Sequence, residues 1–231
     1  MRTNDPDSRG RSAGQIEVIT GGMFSGKSEE LLRRLRRAII ARQKVQVFKP
    51  TADNRHLPER VVTRDLREVS ARSVRDSREL AAALAPDVQV VGIDEAQFFD
   101  QGLVDLATEL ADRGVRVIVA GLDQDFLRRP FGPMPVLLSL AEFVDKMHAI
   151  CVVCGSPAHF TQRTAGGEEL VQVGDGESYE ARCRVCYELG LSRPRESAEE
   201  AGAAPETASG AVVSPLPSEP RGRGAVIPRP R

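Results

Sequence analysis

Residues Gly21 to Ser28 read G-G-M-F-S-G-K-S, a match to the phosphate-cradling pattern G-x-x-x-x-G-K-[ST]. The alternating apolar run Gln15–Thr20 (Q-I-E-V-I-T) precedes it, and a helical pattern follows, so strand, loop and helix fall in the order this chemistry needs. Glycines let the backbone curl until several N–H groups face one phosphate chain. Lys27 supplies a point charge for the β- and γ-phosphates, and the Ser28 hydroxyl supplies a ligand for Mg²⁺. The helix beginning here adds its positive dipole end. The alternative is a Gly-rich turn that happens to precede a lysine.

The 231 residues suffice for one large α/β domain and a small appendage. A net charge of -1 gives no bulk basic field for nucleic acid. No apolar run reaches the length of a membrane span, and the polar start M-R-T-N-D-P-D-S-R-G-R-S lacks the apolar core of a signal peptide. These features predict a cytosolic protein without a membrane partner, in which four cysteines serve metal or stay as thiols rather than form disulfides.

Residues 1–14 read as a disordered leader and 15–149 as the phosphate-loop domain. Strands are expected at Gln15–Thr20, Lys44–Lys49, Val88–Asp94 and Val115–Gly121. The last two are nearly continuous β-branched runs, as buried parallel strands should be. Helices are expected at Lys27–Arg42, Asp76–Leu84 and Leu103–Arg113, the last ended by Gly114. This alternation predicts an α/β fold with a parallel sheet. Residues 150–190 form a second, cysteine-bounded unit. The stretch 191–231 holds seven of the fifteen prolines and no aromatic residue, a composition that predicts disorder.

Strand Val88–Asp94 ends in adjacent carboxylates, Asp94 and Glu95. The expected division of labour gives Asp94 to Mg²⁺ and Glu95 to the substrate as general base. The alternative is a solvated acidic turn, which Glu95 fits more readily than Asp94. Cys151-x₂-Cys154 and Cys183-x₂-Cys186 are separated by 28 residues. Paired C-x-x-C knuckles predict a closed, structural Zn²⁺ site that pins both ends of the intervening loop; four free thiols are the alternative. His148 and His159 read as surface or packing residues.

Together and in order, G-G-M-F-S-G-K-S, F-K-P-T-A-D-N-R, G-I-D-E-A-Q-F-F, G-L-D-Q-D-F-L-R-R-P-F-G, the two cysteine pairs and Gly174…Tyr179 resemble the type II thymidine kinases. These are a zinc-containing family with a RecA-like P-loop domain and a small zinc-ribbon-like lasso. The resemblance spans about residues 15–190. It implies transfer of the ATP γ-phosphate to the 5′-hydroxyl of thymidine or deoxyuridine, with Glu95 as the base. It implies an ATP site of Gly21, Gly22, Met23, Phe24, Ser25, Gly26, Lys27, Ser28, Asp53, Arg55, Asp94 and Gln97, in which Arg55 stabilises the transferring phosphoryl group. Met23 also matches a position lining the thymine pocket. Phe98, Leu122, Phe126 and Phe131 line that pocket by the same resemblance, and Leu170, Val171, Gln172, Val173, Gly174 and Tyr179 belong to the loop that closes over the nucleoside. Any one of these phenylalanines, and Phe99 most readily, can instead be a core residue. The resemblance further implies a homotetramer, feedback by thymidine triphosphate and a place in pyrimidine salvage.

The chain departs from the family pattern twice. Asp175 separates Gly174 from Gly176 where many relatives have consecutive glycines, and residues 61–69 carry no histidine. A RecA-like ATPase with a zinc ribbon acting on nucleic acid is the competing expectation. The acidic balance of 155–182 speaks against it: Arg163 and Arg182 face Glu168, Glu169, Asp175, Glu177 and Glu180. Another small-molecule kinase of the same fold is the third.

Overall fold

The computed structural model describes residues 14–51, 61–62, 68–69, 71–164 and 178–191. Asp53, Arg55 and the segment Leu170–Gly174 lie outside the described residues. So do Asp175, the leader up to 13 and the tail beyond 191. The described chain runs β1 (Gln15–Gly21), α1 (Lys27–Ile40), β2 (Val45–Pro50), β3 (Val61–Val62), β4 (Glu68–Val69), β5 (Ala71–Val74), α2 (Ser77–Ala83) and β6 (Val90–Ile93). It continues with α3 (Gly102–Asp112), β7 (Arg116–Gly121), α4 (Met134–Leu140), β8 (Phe143–Met147), the short strands β9 (Ala149–Ile150), β10 (Pro157–Ala158), β11 (Phe160–Arg163) and β12 (Tyr179–Arg182), and α5 (Arg184–Leu191).

Six of these strands form one sheet in the order β5-β2-β6-β7-β1-β8. Every neighbouring pair in it is parallel. Both faces are covered, which explains why β6 and β7 read as unbroken apolar runs. On one face, Ile19, Val47, Val90, Ile118 and Ala120 pack with Leu31, Leu35 and Ala38 of α1. On the other, Val18, Phe48, Val91, Val117 and Val119 pack with residues of α2, α3 and α4. Successive strand residues serve opposite cores. Gly92 is the close-approach point: a Cβ there sits 2.9 Å from Leu35.

The expected strands and helices are present with ends shifted by at most two residues. Gly114 ends α3 as expected, at φ 91°, with the Val115 N–H bonding the Leu110 carbonyl. Helix α1 stops earlier than expected. Arg42 takes the left-handed position at φ 60° and the Gln43 N–H bonds the Ala38 carbonyl, the same terminating geometry without a glycine. In the large sheet and its covering helices, β5, α4 and β8 were not expected, and neither were the short strands β3, β4 and β9–β12 or helix α5. The edge strand β8 is exposed over Phe143–Lys146 and has one neighbour, so no alternation marks it. Helix α4 spans 7 residues and contains Pro135.

A charge network fastens α1 to the sheet. The buried Glu17 of β1 accepts from Arg34 at 2.7 Å and from Arg116 at 2.5 Å. Arg34 also bonds Glu30 at 2.8 Å and reaches Asp145. Burial pushes the Glu17 carboxyl up, but the hydrogen bonds from Arg116, Gln15 and Arg34 outweigh it and hold it below its ordinary 4.5. A lowered folded pKa contributes stability above the unfolded value, and that stability is lost as pH falls through the folded value. Glu17→Gln is therefore expected to cost about 2 kcal/mol at neutral pH, because Arg116 loses its charge partner and Arg34 loses one of three. The gap between variant and parent should narrow as pH drops below 4.5. Urea unfolding at several pH values checks this, and a gap independent of pH contradicts it.

Candidate active site

The carboxyl ends of β1, β6 and β7 lie side by side, with β7 in the middle. Ligands of open parallel sheets bind at this edge. Gly21 at φ 140° and Gly26 at φ 83° make the bends of the Gly21–Ser28 turn. A Cβ on Gly21 falls 2.3 Å from the Met147 carbonyl oxygen, so no other residue fits. The Lys27 ammonium and the Ser25 hydroxyl each donate to the Gly22 carbonyl at 2.8 Å. The Met23 N–H bonds the Thr161 hydroxyl of β11 at 2.9 Å, tying the turn to the cysteine lobe. Phe24 is exposed and takes a left-handed φ of 63°. The first N–H groups of α1 open into this turn and have no partner within the helix.

Asp94 follows β6 and is 1% exposed. Its Oδ1 accepts the Glu95 N–H at 2.9 Å, whereas Oδ2 is buried and accepts no hydrogen bond among the described residues. Burial, reinforced by the Glu95 charge, pushes this carboxyl up to about 6; Ser28 and Lys27 pull the other way. The Ser28 hydroxyl thus approaches the carboxylate without completing a bond to Oδ2. A buried oxygen left unsatisfied is costly and calls for a ligand. A hydroxyl and a carboxylate are a hard oxygen donor pair, and they fit Mg²⁺.

Glu95 sits at φ 49°, ψ 40°, a left-handed conformation that few non-glycine residues adopt. It caps the 3-10 turn Ala96–Phe98. Gln97 is 2% exposed and turned inward. Its amide nitrogen donates to Glu95 Oε2 at 2.5 Å, and its amide oxygen accepts the Leu122 N–H at 2.9 Å. Both polar ends of Gln97 are therefore engaged within the protein, and it bridges the ends of β6 and β7 while holding the Glu95 carboxylate.

The aromatic residues gather beyond these strand ends. Phe98 and Phe131 meet edge to face, centroids 5.5 Å apart. Phe131 is set by its N–H to the Asp123 carbonyl at 3.1 Å. Gly132, at φ 52°, brings this turn against the Gln97 carbonyl, 2.2 Å from where a Cβ would stand. Leu122 is buried at the end of β7, and Phe126 and Tyr179 are half-buried. Phe99 belongs to the main core. Sequence reasoning missed three groups here. Arg163 lies over the Phe126 ring, the Tyr187 hydroxyl donates to the Phe126 carbonyl at 2.6 Å, and Arg128 pairs with Glu188. One signal was available: the chain has two tyrosines, and both are in this site.

The four cysteine sulfurs lie within 4.8 Å of one another. Burial opposes ionisation of Cys151, but N–H donors of Cys183, Val153 and Cys154 outweigh it and bring the thiol down to about 6. Burial and the other sulfurs push Cys186 up to about 12. Four converging sulfurs, some already met by backbone donors, fit a tetrahedral Zn²⁺. His148 and His159 stack edge to face at 4.2 Å beside this cluster.

A phosphate-binding turn at β1, with an acidic pair one strand away, places the protein among the P-loop nucleotide-binding enzymes. A family model described as thymidine kinase matches residues 14–187. A thymidine kinase of Bdellovibrio bacteriovorus is 53% identical over 181 residues, covering 78% of this chain and 89% of the relative. One from Porphyromonas gingivalis is 51% identical over 195 residues, 84% and 94% of the two chains. One from Rhodothermus sp. is 50% identical over 208 residues, 90% and 95%. The chain belongs to the thymidine kinase family, whose members are nucleoside kinases.

Purified protein is expected to carry about one zinc per chain, with thiols that react with a disulfide reagent only after chelation. Cys186→Ala should abolish stoichiometric zinc. Elemental analysis with thiol titration checks this, and four freely reactive thiols in metal-free, folded protein contradict it.

Proposed function

We propose that the protein transfers the γ-phosphate of ATP to the 5′-hydroxyl of thymidine or deoxyuridine, giving the nucleoside monophosphate for pyrimidine salvage. One observation carries this reading. A carboxylate held by Gln97 at 2.5 Å stands next to a buried carboxylate with an unsatisfied oxygen, beside a phosphate cradle. Phosphoryl transfer needs positioning, charge neutralisation and one base, and this site offers each.

In this reading the turn Gly21–Ser28 grips the triphosphate, and Lys27 leaves the Gly22 carbonyl for the β- and γ-phosphates. Ser28 and Asp94 would hold Mg²⁺, which when bound would supply charge neutralisation for the triphosphate. Glu95 takes the proton of the 5′-hydroxyl as the hydroxyl oxygen attacks the γ-phosphorus, the bond to the β,γ-bridging oxygen breaks and ADP leaves. Gln97 keeps the carboxylate aimed, so its part is to position Glu95 within the ATP-side machinery. Asp53 and Arg55 serve the phosphates. Leu122, Phe98, Phe126 and Phe131 enclose the pyrimidine, joined by Tyr179 and by Leu170, Val171, Gln172, Val173 and Gly174 closing from the lasso. The division into a leader 1–14, a P-loop domain 15–149, a lasso 150–190 and a tail 191–231 belongs to this proposal. A cytoplasmic homotetramer belongs to this reading through the family resemblance; no described helix is long and apolar enough to cross a membrane. The net charge of -1 favours a small substrate over nucleic acid.

Purified protein, labelled ATP and a panel of common nucleosides with and without Mg²⁺ test the reading; thymidine and deoxyuridine should be labelled in the presence of Mg²⁺. Glu95→Gln should retain ATP binding while kcat falls about a thousand-fold, as base and charge effects vanish together. Turnover within a few-fold of the parent would remove Glu95 from the role.

A further inference from the structure

Arg163 ends β11 and carries no sequence motif. It is nevertheless 6% exposed, a rare condition for arginine. Its guanidinium carbon lies 3.8 Å from the centroid of the Phe126 ring, well inside cation–π range. Nη2 and Nε both donate to the Tyr179 hydroxyl oxygen, at 2.7 and 3.2 Å. Arg163 and Tyr179 are register partners across the antiparallel pair β11–β12, so their side chains share a face. They flank the two ends of segment 165–177, where the Thr164 N–H bonds the Ser178 carbonyl at 3.0 Å. One side chain thus joins the loop after β7 to both strands that flank segment 165–177.

The hydrogen-bond count at Tyr179 gives this contact a consequence. A phenol oxygen has two acceptor sites and one donor hydrogen. The guanidinium fork engages the acceptor side. What remains is the O–H, for which the described residues provide no acceptor. Donation from a permanent cation strengthens that O–H as a donor, since linked hydrogen bonds polarise one another. Lysine cannot reproduce this, having neither a planar face for Phe126 nor a fork for the phenol.

We infer that Arg163 is a positioning and selectivity residue of the nucleoside pocket. It fixes the Phe126 ring, and it commits Tyr179 to donating a hydrogen bond. The pocket therefore favours a nucleoside that presents an oxygen acceptor to Tyr179 and disfavours one that presents an amino group or a positive charge there. The inference rests on the thymidine kinase reading of this pocket.

Steady-state kinetics of the full chain tests it, with thymidine and ATP varied separately for the parent, Arg163→Lys, Arg163→Met, Tyr179→Phe and the Met/Phe double variant. Loss of a charge-assisted fork should raise the thymidine KM about ten-fold or more in Arg163→Met. The ATP KM should stay within about two-fold, because this side chain contacts Phe126 and Tyr179. Arg163→Lys should resemble Arg163→Met rather than the parent, and it carries the test if the Met variant is insoluble. The double variant should be no worse than Arg163→Met, since both changes remove one unit. The inference is overturned by an unmoved thymidine KM in the Lys variant, by factors that multiply in the double variant, or by an equal rise in the ATP KM. A parent protein that does not phosphorylate thymidine at all sinks the kinase reading and this inference with it. An active parent with indifferent Arg163 variants sinks only the inference.

Discussion

The buried Asp94 carboxylate beside the Gly21–Ser28 turn is the constraint on which the rest of the structure turns. Burying an ionisable group with one oxygen unsatisfied destabilises the protein unless a ligand completes it. The fold accepts that cost because β7 separates β1 from β6, leaving a gap between the phosphate turn and the acidic strand end. Two hydrophobic cores, one on each face of the sheet, hold these strand ends rigid. Positive backbone angles at Gly26 and Glu95 then shape the phosphate turn and the acidic strand end. Local strain at Glu95 persists because Gln97 and the following 3-10 turn determine its geometry from both sides.

The cysteine lobe is more than an anchor for a loop. Thr161 holds the Met23 N–H of the phosphate turn, and Tyr187, next in sequence to Cys186, holds the Phe126 carbonyl. Arg128 lies over the Tyr187 ring at 5.0 Å and pairs with Glu188 of the same helix. Order at the four sulfurs is thereby transmitted to both halves of the cleft through short hydrogen bonds. A metal held by the four cysteines would thereby bear on the geometry of the cleft from a distance.

Much of this was legible in the residues alone, for reasons of local physics. Apolar continuity marks β6 and β7 because both faces of the sheet are buried. Glycine spacing marks the phosphate turn because only glycine tolerates its bends. Thiol spacing marks the metal cluster because tetrahedral coordination demands converging pairs. What stayed hidden depends on tertiary contact. The exposed edge strand β8 has no periodicity to read. Gln97 was expected on the ATP side, but its bridge from Glu95 to the Leu122 N–H exists only once the ends of β6 and β7 are brought together around it. Arg163 is one arginine among many until Phe126 and Tyr179 close on either side of it.

The central claim is that Glu95 acts as a base and the phosphoryl group moves directly from nucleotide to nucleoside. A carboxylate so placed has a second chemical option, attack on phosphorus to form a phosphoenzyme. Stereochemistry at phosphorus separates the two. With ATP made chiral at the γ-position by sulfur and oxygen isotopes, a single in-line transfer inverts configuration in the thiophosphorylated nucleoside. The account predicts inversion. Net retention, the outcome of two successive displacements, would contradict it and make Glu95 a nucleophile.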